Sequence, residues 1–353
     1  MSRKESAFHP FYERLVAWVP GYVIGPLVLS IGLGLIFLGA HYAAGDAKIF
    51  RDWSWLLALL ITSAMLALYY ATYTLRVLLP QMSLRLALRR GGNDEDVSAS
   101  DSIFMRPLNT TLSDRNFLYA AVFFGLLNCL MGYLFGLPSA GAAEKATLMF
   151  GFFLAGFVCG MGAWGIYGVT VMVAAFANKA GPSLDYNAPD HCGGVHFIGE
   201  GLVAFASVTL IVGVMISVYI HQFAWTHDEL WWVVALQWAW IVFPYVLSLV
   251  VLVGPAVPLN EALRRYKVEA EAEQMRKSDA IQRQLDAEPL DSGKRKDLRD
   301  EFTHEQNIRQ NLYAMGTWPH GLSANLKYFG IFAGNVVASI SAVLGLLSKS
   351  AHS

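Results

Sequence analysis

Charge is what this chain has least of. Only 15% of its 353 residues are Asp, Glu, Lys or Arg, where a soluble domain carries about 25%. Hydrophobic residues make up 55%, and the mean hydropathy is +0.42. So uncharged a surface excludes an ordinary water-exposed globule. The 26 basic and 27 acidic side chains leave a net charge of -1, so there is no basic field to recruit nucleic acid and no acidic solvating tail. Cysteine is scarce too. Cys129, Cys159 and Cys192 are too few and too far apart for a disulfide framework or a thiolate metal site. No Gly-x-x-x-x-Gly-Lys phosphate loop occurs, and no Ser-His-Asp or Cys-His set falls at one depth. The expectation is a protein without enzymatic activity and without a cofactor.

What the chain does have is long apolar runs. A helix needs about 20 apolar residues to cross the hydrocarbon core, and six windows meet that near 21–44, 54–79, 117–138, 147–177, 200–221 and 230–256. A seventh uncharged run, Phe329 to Leu347, is long enough to span, re-enter or lie in the interface. The first run follows a polar stretch and lacks a small-x-small cleavage site, so it reads as a retained span rather than a signal peptide. The expected fold is all-α: a polytopic transmembrane bundle of six spans plus a seventh membrane-associated helix, with a cytoplasmic helical hairpin.

Basic residues orient such a bundle, because cytoplasmic loops retain Lys and Arg. With the N-terminus inside, the short inner segments hold Arg3, Lys4, Arg14, Arg76, Arg85, Arg89, Arg90, Arg106, Arg115 and Lys179, and the outer ones only Lys48, Arg51 and Lys145. The region after the sixth span adds twelve more on the inner side, from Arg264 to Lys327. Trp53, Trp55, Trp225, Trp231 and Trp232 then gather at the outer ends, where indoles prefer the headgroup level, with Trp18 at the inner edge.

Four pieces follow. Residues 1–20 read as an interfacial segment, with Phe11, Leu15, Trp18 and Val19 on one side of a short helix. Residues 21–256 form the six-span bundle, interrupted by a flexible inner loop at 80–116 that contains Gly91-Gly92-Asn93-Asp94-Glu95-Asp96. A charged helical hairpin occupies 257–316 and turns at Glu288-Pro289-Leu290-Asp291-Ser292-Gly293. Its stripes, Leu263, Tyr266, Met275, Ile281 and Leu285 against Leu298, Phe302, Ile308 and Leu312, hold too little core for independent stability. It is therefore expected to pack on a neighbour, either other copies of the chain or a cytosolic protein docked at 259–315. Residues 317–353 carry the last membrane-associated helix.

Span interiors contain no ionisable Asp, Glu, Lys or Arg, with Arg76 and Glu200 at inner ends. Coupled carriers need such groups at mid-membrane, whereas a passive pathway does not. His41 and His221 end the first and fifth spans and are candidates for a haem or metal pair; the alternative is ordinary interfacial histidines. The loop Pro189-Asp190-His191-Cys192-Gly193-Gly194-Val195-His196-Phe197 clusters metal-ligand types. It reads more simply as a helix start, in which Asp190 satisfies free amides and the glycines turn the chain. Glycine pairs four apart, Gly132/Gly136, Gly156/Gly160 and Gly330/Gly334, let helix backbones approach closely. In the last run Gly334, Asn335, Ala338, Ser339 and Ser341 offer packing or pore-lining positions.

The Pro-Asp-x-x-Gly-Gly-x-x-Phe loop built on Pro189, Asp190, Gly193, Gly194 and Phe197 resembles one in a group of uncharacterised bacterial multi-pass inner-membrane proteins. In those proteins a charged helical hairpin and a Met-x-x-Trp-Pro-like element precede a last apolar helix. Here these parts are the hairpin, then Met315-Gly316-Thr317-Trp318-Pro319, then 329–347. The resemblance implies a bacterial inner-membrane location and no particular activity.

Together these features point first to an oligomeric protein forming or gating a passive pathway for ions or small solutes, its partners being the bilayer and its own copies. The second reading is a scaffold or sensor that docks a cytosolic protein through the hairpin. The third is a haem- or metal-binding membrane oxidoreductase using His41 and His221.

Overall fold

The computed structural model describes residues 12, 24–45, 54–90, 109–137, 141–180, 184–223, 225–227, 230–286, 292–319, 326, 328–330 and 332–334, with side chains placed except at 85–90 and 179–180. Of these residues 88% are helical, and none lies in a strand. The elements are α1 (Ile24–Ala44), α2 (Ser54–Arg90), α3 (Asp114–Phe135), α4 (Ala142–Ala175, ending in a π turn at Phe176–Ala180), α5 (His196–Gln222), α6 (Trp231–Val253), α7 (Ala256–Asp286) and α8 (Ser292–Ala314).

Among the described residues six helices are long and apolar enough to cross a membrane: Ile24–Ala44, Ser54–Leu84, Asp114–Phe135, Ala142–Asn178, His196–Gln222 and Trp231–Asp286; most of the seventh run, 329–347, lies outside them. The last of these runs through a turn at Gly254 and Pro255 into α7, so the sixth span and the first arm of the hairpin are nearly one rod. Large apolar side chains face outward along the spans, among them Ile24, Val28, Ile31 and Leu35 on α1, Phe123, Leu126 and Leu130 on α3, and Val242, Val246 and Val250 on α6. Their three-, four- and seven-residue spacing draws one greasy stripe down each helix. Only hydrocarbon stabilises such stripes at no cost, so the chain is a polytopic helical membrane protein.

Within the bundle α2 is central, packing on α1, α4 and α5, while α3 lies along α4 and α6 along α5. The order α3, α4, α2, α5, α6 makes a horseshoe whose two ends, α3 and α6, barely touch. Glycine sets the tightest approach: a Cβ on Gly156 would stand 2.5 Å from the Phe124 carbonyl, and one on Gly160 2.7 Å from that of Ala120. The expected Gly156/Gly160 ridge thus seats α3 on α4 within one chain. The free ends of the horseshoe are pinned at the far end, away from the hairpin. There the Thr226 and His227 amides donate to the Gly136 and Phe135 carbonyls at 3.1 Å each.

Two boundaries differ from expectation. The stretch expected as a loop over 80–116 begins as helix, because α2 runs through Pro80 to Arg90, and residues 109–111 are helical again before Asp114 starts α3. Leu78, Leu79, Met82 and Ser83 are buried there against the bundle, and that packing carries the helix past the proline. Trp164 Nε1 on α4 donates to the Thr111 carbonyl at 2.7 Å, tying the second helical turn down. Of residues 1–20 only Tyr12 is described, and it is 2% exposed. Its hydroxyl pairs with Thr72 Oγ1 at 2.6 Å, Tyr69 donates to its carbonyl at 3.2 Å, and its ring meets Tyr69 and Phe117 edge-on. This side chain is thus set into the bundle. Phe11, Leu15, Trp18 and Val19, assigned to an interfacial face, lie outside the described residues.

Candidate functional site

Two places concentrate unusual structure: a joint at the hairpin end and a slot inside the bundle.

The joint starts from the need to begin α5. The first amides of a helix have no partners of their own, and here one carboxylate supplies them. Asp190 Oδ1 accepts from the Cys192 and Gly194 amides at 2.9 Å each, and Oδ2 from the His196 amide at 3.1 Å. Partial burial works against ionisation of Asp190, yet these three donors, with a small contribution from His196, outweigh it and hold the carboxyl below the usual carboxylate range. To wrap three amides around one side chain the backbone turns left-handed at His191 (φ 49°), Gly193 (69°) and Gly194 (80°). Gly193 must also lack a side chain, since a Cβ would stand 2.8 Å from Met315 Cε. Pro189 is exposed at the loop tip, while Phe197 packs half-buried on the core.

The same loop grips the segment after α8. The Gly316 amide donates to the His191 carbonyl at 2.7 Å, the Cys192 thiol to the Trp318 carbonyl at 3.3 Å, and His196 Nδ1 to the Pro319 carbonyl at 3.0 Å. From α7, Asn260 donates to the Thr317 carbonyl at 2.8 Å, and Lys267 Nζ to the Tyr313 and Met315 carbonyls at 3.0 Å each. Asn311 of α8 reaches back to Asn187 at 3.0 Å. The Pro-Asp-x-x-Gly-Gly-x-x-Phe loop and the Met-x-x-Trp-Pro element, 126 residues apart at Cys192 and Trp318, are therefore two halves of one fastening. Three of the metal-ligand types in the loop are committed to it, the Asp190 carboxylate to amides and the Cys192 thiol and His196 ring to carbonyls, while the His191 side chain is exposed. Burial and the Asp190 charge push the Cys192 thiol up, away from a reactive thiolate. Among the described residues no group of three or more His, Cys, Asp or Glu could hold a metal ion.

The two terminal histidines have different neighbours. His41 is buried, its Nδ1 2.9 Å from Thr147 Oγ1 and its ring stacked on Phe37. Thr147 already donates to the Glu144 carbonyl, so His41 is the donor in their pair. His221 lies edge-on to Trp238 of α6.

The slot is a cavity of about 170 Å³ walled by α2 through α6. Its lining on α2 (Leu57, Leu60, Ala64, Ala67, Leu68, Ala71) follows one helical face from Leu57 to Ala71, which at a rise of about 1.5 Å per residue makes it roughly 21 Å long. Phe135, Phe152, Tyr219 and Trp225 crowd its far end. Toward the hairpin it shares Leu68, Ala71, Gly162, Ile166 and Phe205 with a smaller cavity of about 40 Å³ bordered by Tyr12. Polar atoms in its wall are mostly spoken for: Asn128 Nδ2 donates to the Phe152 carbonyl at 2.7 Å and Thr209 Oγ1 to that of Phe205 at 2.9 Å.

Of the positions read as pore-lining, Gly334 is described, and a Cβ there or at Gly330 meets no described atom within 4 Å. Asn335, Ala338, Ser339 and Ser341 lie outside the described residues. Sequence reasoning missed the slot and the roles of Tyr12, Asn260 and Lys267. For the slot a signal existed, since Gly162-Ala163 and the Ala64, Ala67, Ala71 row thin two helix faces at one depth. No protein-family model, curated protein or solved structure matches this chain.

Proposed function

We propose that the protein is a membrane-embedded scaffold or sensor, in which the spans hold the α7–α8 hairpin out from the cytoplasmic face of a bacterial inner membrane as a docking arm for a cytosolic protein. The observation that supports this reading is the fastening. A mere anchor needs only a tether, whereas here the hairpin base is continuous with α6, the segment after α8 is bound to the α4–α5 loop by Cys192 and His196, and Asn260 and Lys267 of α7 hold that same end of the hairpin. A rigid arm transmits a load or a signal to the bundle, and a loose one does not. The excess of Lys and Arg in the segments on this side supports its cytoplasmic placement. The test is photo-crosslinking in living cells from a benzophenone amino acid at exposed Met275. Adducts to one cytosolic polypeptide are expected, and adducts joining only copies of this chain would replace docking with self-assembly.

A passive pathway between copies is the second reading. It is favoured by the absence of charge within the spans and by Gly330 and Gly334, where a Cβ meets no described atom within 4 Å. An aqueous path through a single bundle is disfavoured by the apolar slot. Planar-bilayer recording of the purified protein beside Asn335→Leu addresses it: conductance altered by the substitution supports the pathway, and no conductance at any voltage or pH removes it. Neither reading assigns an enzymatic step.

A further inference from the structure

The slot is long, narrow, apolar and inside the membrane, and those four properties together select an occupant. Its wall offers a guest few hydrogen bonds, because Asn128 and Thr209 already donate to carbonyls of neighbouring turns. A cavity of about 150 Å³ lined by aliphatic and aromatic side chains stays dry and takes up apolar guests. The slot is of that size, about 170 Å³, so water is a poor filling and a hydrocarbon a good one. Shape narrows the choice. Spread over roughly 21 Å of helix, this volume suits a single extended chain and not a compact ring. The length exceeds the about 15 Å of hydrocarbon in one leaflet, half of a 30 Å core.

Access decides the source. The wall is closed where α3 packs on α4, α4 on α2, α2 on α5 and α5 on α6, but α3 and α6 barely touch. At the far end the 225–227 turn pins that seam, and below it the described helices leave the slot a mouth between α3 and α6, at the depth of the bilayer's acyl chains. We infer that the slot is a binding site for one acyl chain of a membrane lipid, which enters sideways between α3 and α6 and lies along α2 with its axis near the bundle axis. Among the described residues no charged side chain lines the slot, so selection is by the chain and not by the headgroup. The inference goes beyond the docking function and does not depend on it.

Gly162 supplies the test. It lines the slot, and a Cβ there meets nothing within 4 Å, so a side chain has room to leave the backbone at this position and Gly162→Leu is the filling variant. The full chain is reconstituted in phosphatidylcholine vesicles containing a phosphatidylcholine with a diazirine near the end of one acyl chain, then irradiated and mapped by mass spectrometry. Adducts are expected on slot residues such as Cys159, Phe205 and Leu247 as well as on the outer positions Leu126 and Val246. Gly162→Leu is expected to lose the slot adducts, keep the outer ones and unfold no earlier than the wild type. If that variant fails to fold, Ala163→Leu, also in the wall, is read in the same way. Outer adducts alone in the wild type, or slot adducts that persist in the filled variant, overturn the inference. So does suppression of the slot adducts by an equal fraction of an isoprenoid-chain lipid, which would assign the slot to a branched tail.

Discussion

At the scale of single residues, Asp190 does the most with the least. One carboxylate replaces the cap, the turn and part of the loop core by accepting three amides. Removing such a cap costs about 1–2 kcal/mol, so Asp190→Ala should unfold earlier on heating at pH 7. Asp190→Asn, which keeps one oxygen for the Cys192 and Gly194 amides, should fall between. Because the folded carboxyl titrates below its ordinary value, the stabilisation is complete above the unfolded pKa of about 3.9 and fades as pH falls through the folded one. The gap between wild type and Asp190→Ala should therefore be flat from neutral pH to about 5 and shrink only below 3.9. A gap that already closes at pH 6 would mean that another group carries it. Tyr12 is the second such residue. Tyr12→Phe keeps the ring contacts and loses the Thr72 bond, an expected cost of about 1 kcal/mol in thermal unfolding.

At the scale of elements, small residues decide how helices meet. Gly160→Leu drives a side chain into the Ala120 carbonyl and Phe124 Cβ of α3, an overpacking that costs about 1–3 kcal/mol or more. Gly32→Ala and Gly39→Ala on α1 meet nothing within 4 Å and should leave the melting temperature unchanged or slightly raised. A common effect in all three would show that helix propensity, not interhelical contact, governs the spans. The joint fails differently. Gly193→Ala places a methyl group on a left-handed residue and against Met315, which costs about 1–2 kcal/mol for the backbone alone. In membrane vesicles that expose the hairpin, limited proteolysis should cut α7 and α8 faster in this variant, while the spans stay protected. Equal cleavage rates would show that the hairpin is held by something other than this fastening.

At the scale of the whole molecule the horseshoe, its pinned far end and the fastened hairpin form one unit with two distinct ends. The proposed orientation predicts that Ser292→Cys, at the exposed hairpin turn, reacts with a membrane-impermeant maleimide only from the cytoplasmic side. Trp231→Cys, exposed at the start of α6, should react only from the opposite side. Reversed labelling would invert the bundle and put the docking arm outside the cell.

The sequence by itself determined the class and the six spans found among the described residues, since hydropathy over some 20 residues is a local property that needs no partner; the seventh run at 329–347 lies largely outside those residues. The sequence also carried the simpler reading of the Asp190 loop, because a cap and its amides lie within six residues of each other. Where helix continues beyond the apolar window, as α2 does to Arg90, local signals failed, because burial of Met82 and its neighbours against the bundle decides that stretch. Tertiary structure alone decided that Gly193 and Met315 share one joint, that Tyr12 enters the bundle, and that five spans enclose a slot. Each of these depends on which helices are neighbours, and pairing among helices with similar apolar faces is set by packing over the whole bundle, which no single stretch of sequence encodes.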